Sequence, residues 1–241
     1  MNGQQTKYLT AFRLPKIDRE TAWLLTYISL FTSLLAFFIL SMNLVTLEQN
    51  SEKRHFQKVQ MQLFKQTLAM KKQLKLDWLQ VENTVSKGIR LTLQTQDKAD
   101  ELFALGSEKL SPAWQNRLIE LSVLLDQLKL QSFSQQQDQT IQAMTRGSKR
   151  LKLQLLVEGH TDAQPMRSAR FPSNWELSTA RAMTIQELLE QKLQLPPSVF
   201  AIAGLGSFRP KDDLLNYADN RRIEIYIQLN ITSNGQQHDQ S

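Results

Sequence analysis

The 241 residues include no cysteine. Disulfides, cysteine-ligated zinc sites and cysteine nucleophiles are therefore excluded. Charge is missing from Thr21 to Leu47, a run of about 27 residues where about 20 suffice to cross the hydrocarbon core of a bilayer. A secretory signal peptide has a shorter apolar core and a small-residue cleavage site. The stretch SMNLVTLEQN offers no A-x-A pattern. The segment 21–47 thus reads as an uncleaved membrane anchor. Proline and glycine are absent from 48 to 81, where Gln, Lys, Leu and Met dominate, and one helix is expected there.

Acidic residues are absent from 53 to 75, the segment that follows the anchor. The formal net charge is +6, and the excess gathers at Lys53, Arg54, Lys58, Lys65, Lys71, Lys72 and Lys75. Because this basic segment follows a membrane helix, anionic headgroups are its nearest partner, and nucleic acid is not expected. The positive-inside rule does not orient the anchor, since Lys7, Arg13, Lys16 and Arg19 precede it and Lys53, Arg54, Lys58 and Lys65 follow it. Phe56, Val59, Leu63, Met70, Leu74, Trp78 and Val81 fall near an alternating three-and-four spacing. Two readings stand side by side: a parallel coiled coil joining two copies, or an amphipathic helix lying on the bilayer or on its own domain.

Beyond Val81 the pattern changes. GIRLTL (88–93) reads as a strand. SPAWQNRLIELSVLLDQL (111–128) opens with a serine cap and proline at the first helical position. SFSQQQDQTIQAMTRGSKR (132–150), rich in Gln and Ser, reads as a mobile loop or a frayed helix end. LKLQLLVEGHTD (151–162) is a strand ending in a polar cluster, and SNWELSTARAMTIQELLEQKL (173–193) is a helix. FAIAGLG (200–206) and NRRIEIYIQL (220–229) are strands, the last with strict alternation. The expected architecture is a single N-terminal transmembrane helix, a helical linker, and an α+β domain with helices packed on one face of a mixed sheet.

VEGHTDAQP, SNWELSTARA, GLGSFRP and NRRIEIYI, in that order, resemble the OmpA-like peptidoglycan-binding domain in its MotB-type version. The resemblance covers roughly residues 82–230. The order of Trp23, Tyr27, Thr32, Ala36, Phe37 and Phe38 is similar to the membrane helix of MotB-type stator subunits. The resemblance implies a cytoplasmic tail at 1–20, a transmembrane helix at 21–47, a plug- or coiled-coil-like linker at 48–81, the OmpA-like domain at 82–232 and a disordered tail at 233–241. It places the N-terminus in the cytoplasm and the domain in the periplasm of an inner-membrane protein.

The same resemblance assigns Asp162 and Arg181 to a diaminopimelate side chain of the peptidoglycan stem peptide. Asp162 accepts from the ammonium and Arg181 clamps the carboxylate with two parallel N–H bonds. Asn174, Leu177 and Ser178 shape the loop and cap the helix. Asn220 and Arg222 line the pocket, although Arg221 and Arg222 alternate faces, so only one of them points at it. His160 is expected to hydrogen-bond within its loop; with three histidines in the chain and no second ligand nearby, no metal is expected, and no cofactor. Where the family spaces a further arginine before NRR, this chain has Tyr217. Glu158 and Asp162 flank one strand end, a weak basis for hydrolysis, so no enzyme is expected.

Aligned on the same membrane residues, the proton-carrying Asp of the stators falls on Ser29. A hydroxyl does not ionise at physiological pH and cannot carry the proton. Thr26, Ser29 and Ser33 form a hydroxyl stripe suited to helix–helix hydrogen bonds. Three explanations remain: an acid supplied elsewhere in a stator-like complex, a paralogue that anchors without driving, or an Asp-to-Ser change introduced at 29. The implied partners are peptidoglycan, a second copy, and a multi-span MotA- or ExbB-like membrane protein. The alternatives are a purely structural envelope tether, or a MotB-like subunit in non-flagellar energy transduction or phage defence.

Overall fold

A computed structural model describes residues 22–94, 101–104, 106–211 and 220–233, with the side chains of 22, 44–52 and 94 left aside. The expected N-terminal tail 1–20, residues 234–241 of the C-terminal tail, and Tyr217 lie outside the described residues. The chain divides into two compact units, Met1–Ser51 and Glu52–Ser241.

In the first unit, helix α1 (Ala22–Gln73) begins. Its Trp23–Asn43 stretch, 21 residues of mean hydropathy 2.0, is long and apolar enough to cross a membrane. Thr26 donates its hydroxyl to the Trp23 carbonyl (3.1 Å), and Thr32 to that of Ile28 (2.8 Å). Such back-bonding satisfies a hydroxyl within its own helix.

The second unit contains the rest of α1, strands β1 (Leu79–Thr84) and β2 (Gly88–Gln94), helices α2 (Pro112–Gln127) and α3 (Leu130–Met144), strand β3 (Lys149–Gly159), helix α4 (Asn174–Leu193), and strands β4 (Phe200–Gly204) and β5 (Arg222–Ser233). The sheet order is β1-β2-β5-β3-β4. Among the described residues, β3 and β4 run parallel and the other pairs are antiparallel. Strand β5 is central, and its alternation gives two buried faces of opposite character. Ile223, Ile225 and Ile227 pair with Leu91 and Leu93 of β2 and with Leu155 and Val157 of β3, forming the apolar core. Each such side chain contributes about 1.5–3 kcal/mol of transfer free energy. Arg222, Glu224 and Tyr226 point the other way.

Several boundaries depart from the sequence reading. The helix expected over 48–81 ends at Gln73, and Leu79–Thr84 joins the sheet as β1, so the sheet begins before residue 82. Lys75 stops the helix in the left-handed conformation (φ 54°), normally a glycine's role. The stripe of Phe56, Val59, Leu63, Met70 and Leu74 packs into this unit's own core, with Leu63 fully buried. A coiled coil through that stripe is therefore not available. The Gln-rich stretch is helix α3, not a loop. Leu130, Ser134 and Ile141 give it a buried stripe, and Asp138 accepts from the backbone N–H of Leu151 at 2.7 Å. Helix α2 starts as expected, with Ser111 accepting from Trp114 N–H (3.4 Å) and Pro112 at the first position.

Candidate functional site

Two glycines set how closely α4 approaches the sheet. A Cβ on Gly159 would lie 2.1 Å from the Ser178 carbonyl oxygen, and one on Gly204 would lie 2.0 Å from Thr179 Oγ1. With no side chain at either place, the first turns of α4 seat directly on the ends of β3 and β4. Ser173 caps α4 by accepting from Trp175 N–H at 3.1 Å. Ser178, fully buried, accepts from Gly206 N–H (3.0 Å) and ties the chain after β4 to the helix. Asn174 donates to the carbonyls of Asp162 (3.3 Å) and Gln164 (2.9 Å), and Thr161 N–H donates to Gly206 (2.9 Å). The loop after β3, the loop after β4 and the start of α4 thus form one hydrogen-bonded unit.

Asp162 and Arg181 lie near one another at this end of the sheet, where the Asp162 charge acts on the Arg181 guanidinium without a direct bond between them. Both are buried, at 7% and 5% exposure. Asp162 Oδ1 accepts from Gln164 N–H at 3.2 Å, an Asx turn, while Oδ2 lies 3.4 Å from Arg221 Nη1. Arg181 donates Nε–H to the Ser107 carbonyl (3.0 Å) and lies over the Phe103 ring at 4.9 Å. Among the described residues, its two Nη groups have no hydrogen-bond partner. Burial first, then the charge of Arg221, lower the Arg181 pKa to about 10; Asp162, Glu101 and Glu108 oppose the shift. The guanidinium therefore stays protonated at physiological pH, with its outer fork unused. Glu101 holds Arg221 from the far side (3.3 Å), and Glu108 pairs with Arg170.

The expected site residues thus separate into groups. Asp162 and Arg181 are placed at the same end of the sheet without touching, with Asn174 bracing the loop. Leu177 and Ser178 are buried beneath it and support it; the cap itself is Ser173. Asn220 accepts from Lys211 N–H at 2.9 Å. Of the two arginines, Arg221 faces Asp162. Arg222 turns away, with Nε 2.7 Å from Glu224 and Nη2 3.1 Å from the Arg209 carbonyl, as strand alternation requires. The wall formed by Glu101, Phe103, Ser107 and Glu108 was missed. Its signal was local: Phe103 and Leu110 bridge across a turn at Gly106–Ser107, with an acid on either side.

The opposite sheet face holds a second polar group. Glu158 and Glu224 are cross-strand partners, and with His160 they place three ligand-type atoms within 4.8 Å of one another. Glu158 stands two residues before His160, but the third member, Glu224, comes from β5, and sequence spacing does not reveal it. The carboxylates are already matched by cations: Lys87 lies 2.6 and 2.8 Å from Glu158, Arg222 lies 2.7 Å from Glu224, and Arg90 lies 3.8 Å from Glu224. A metal ion there would have to displace Lys87 and Arg222. Burial pushes the Glu224 carboxyl up, but hydrogen bonds from Tyr226 (2.5 Å) and Arg222 outweigh it and hold the group below the usual range. His160 is 2% exposed, and among the described residues neither ring nitrogen has a hydrogen-bond partner, contrary to the expected loop bond; its backbone N–H donates to the Arg222 carbonyl. Burial, then Arg222, lower its pKa to about 4. Glu158 and Asp162 do not face each other across a cleft: Glu158 belongs to this ion-pair group and Asp162 to the other site.

Residues 125–223 match the model of the OmpA family. The chain is similar to an uncharacterized Bacillus subtilis (strain 168) protein, YtxE, at 29% identity over 243 residues, covering 89% of this chain and 91% of that one. It is similar to Motility protein B of the same organism at 34% identity over 76 residues, covering 30% of this chain and 29% of that protein. A solved structure of a putative MotB-like protein from Desulfovibrio vulgaris shares the fold, with a TM-score of 0.53 and 20% identity, covering 72% of this chain and 96% of that chain.

Proposed function

We propose that this chain, whose residues 125–223 match the model of the OmpA family, is a membrane-anchored protein of the MotB type that binds peptidoglycan non-covalently and ties a membrane complex to the cell wall. Asp162 receives the ammonium of a diaminopimelate side chain, and Arg181 receives its carboxylate. The observation that carries this reading is the unused outer fork of Arg181, held charged and buried in the same polar end of the sheet as Asp162. A zwitterionic side chain needs one fixed anion and one fixed cation, and a guanidinium fork matches a carboxylate in two parallel bonds. Arg221 and Glu101 set the charge balance around the pair. The role is binding rather than catalysis.

Trp23–Asn43 serves as the anchor, with the N-terminus in the cytoplasm and the domain in the periplasm. The stator role is secondary in this reading, because Ser29 stands where the ion-carrying carboxylate would be. Co-purification of a MotA- or ExbB-like membrane protein, with proton leak appearing only in Ser29→Asp, supports a stator scaffold that has lost its drive. Retention on peptidoglycan without such a partner supports a plain tether. A second copy, if it joins, uses a surface other than the Phe56–Leu74 stripe.

The binding test uses two stem tripeptides, one with diaminopimelate and one with lysine at the same place. Lysine keeps the ammonium and lacks the second carboxylate. Calorimetry on the detergent-solubilised chain should show the diaminopimelate peptide at least about tenfold tighter, as expected for a charged, bidentate bond. Equal binding of the two peptides would remove Arg181 from the site.

A further inference from the structure

Two large aromatic side chains beside the site are left in solvent. Trp175, in the first turn of α4, is 50% exposed, and Phe208, in the chain after β4, is 74% exposed. Their ring centroids are 6.3 Å apart, with planes tilted by 36°, so together they present a shallow apolar shelf. Folding does not account for it, since both rings leave most or half of their surface in water, where burial would have been favourable. The backbone under the shelf is fixed. Phe208 N–H donates to the Leu205 carbonyl (3.0 Å), Gly206 is bound to both Ser178 and Thr161, and Trp175 adjoins Asn174, which grips the Asp162 loop. The shelf is therefore continuous with the Asp162–Arg181 site through three short hydrogen-bonded links.

We infer that Trp175 and Phe208 form a saccharide subsite that stacks on the C–H face of a glycan sugar, next to the stem-peptide site. This rests on the reading of Asp162 and Arg181 given above. In peptidoglycan the diamino acid is the third residue of a peptide joined to a sugar, so two residues of extended chain, roughly 7 Å plus the linkage, separate it from the glycan. A pyranose offers one face of C–H groups and a rim of hydroxyls. The apolar shelf suits the face, and polar residues adjoin both rings along the chain: Arg209 follows Phe208, and Asn174, which holds the Gln164 carbonyl, precedes Trp175. A second protein would need a larger apolar area than two rings supply.

The test compares three probes on the full chain in detergent micelles, read by calorimetry: the diaminopimelate tripeptide, the peptide-free disaccharide of N-acetylglucosamine and N-acetylmuramic acid, and the muropeptide that joins them. The wild type should bind the muropeptide about tenfold tighter than the tripeptide, the size expected for one stacked sugar. Trp175→Ala and Phe208→Ala should each lose most of that advantage and leave the tripeptide affinity unchanged. Trp175→Phe should keep most of it, which separates stacking from a folding defect. Equal binding of muropeptide and tripeptide by the wild type, or an advantage that survives both alanine changes, would overturn the inference. If the disaccharide binds and depends on Trp175 while the tripeptide does not bind, the subsite stands and the Asp162–Arg181 assignment fails instead.

Discussion

His160 should make this domain lose stability as the pH falls from 7 to 5. In the folded chain its pKa is lowered to about 4 from the ordinary 6.5. The unfolded chain therefore takes up a proton below pH 6.5 that the folded chain refuses until about pH 4. Stability is unaffected above 6.5 and falls through the window between the two values. A shift of this size corresponds to about 3 kcal/mol once the window is crossed, of which about 2 kcal/mol is already lost at pH 5. The groups facing the ring are Arg222 and Glu224 on β5, Lys87 in the β1–β2 turn, Arg209 after β4 and Glu158 on β3. Glu224, held below the usual carboxylate range, loses its own contribution only at lower pH, so the range from 7 to 5 isolates the histidine. The assay is urea unfolding of the solubilised chain at several pH values, comparing wild type with His160→Gln. The wild type should lose about 2 kcal/mol between pH 7 and 5, and the variant should lose little. Parallel acid limbs for the two proteins would refute the reasoning.

Other changes probe the packing that positions the site. Gly159→Ala drives a methyl into the Ser178 carbonyl and should cost about 3 kcal/mol or more, measured by the same unfolding assay. Leu63→Ala empties a fully buried place on α1 and should cost about 3 kcal/mol. A near-zero effect would mean that this half of α1 does not belong to the domain. Lys87→Met leaves Glu158 buried without its cation and should cost about 2 kcal/mol, the partial exposure of Lys87 keeping it below the full penalty.

Much of the fold was legible because local chemistry and tertiary packing agree. The Ser111–Pro112 start of α2 and the alternation of β5 are examples. The sequence misled where the usual punctuation is absent. Lys75 and Lys129 take left-handed backbone, at φ 54° and 48°, to end α1 and to separate α2 from α3. Lysine gives no sign of this, and the conformation costs about 1–2 kcal/mol that surrounding packing must offset. The stop before β1 was therefore invisible, and the apolar stripe of α1 looked as suited to a partner helix as to the sheet it covers. Of the candidate site, Asp162 and Arg181 were named from motifs, and the fold puts both at the same end of the sheet. The choice of Arg221 over Arg222 depends on which face of β5 meets the loop, and the Glu101–Glu108 wall comes from a segment with no regular element to mark it. The Glu158–His160–Glu224 group was hidden because a cross-strand register is a property of the folded sheet.

The central claim, that Asp162 and Arg181 hold the chain on the wall, is tested most directly by retention on isolated peptidoglycan. Solubilised wild type, Asp162→Asn, Arg181→Lys and Arg222→Lys would be sedimented with it, and the bound fraction measured against concentration. The account predicts that Asp162→Asn and Arg181→Lys each weaken retention by at least about tenfold. Arg222, turned to Glu224 on the other face, should matter much less. Undiminished retention of Arg181→Lys, with the protein still folded, would contradict the account.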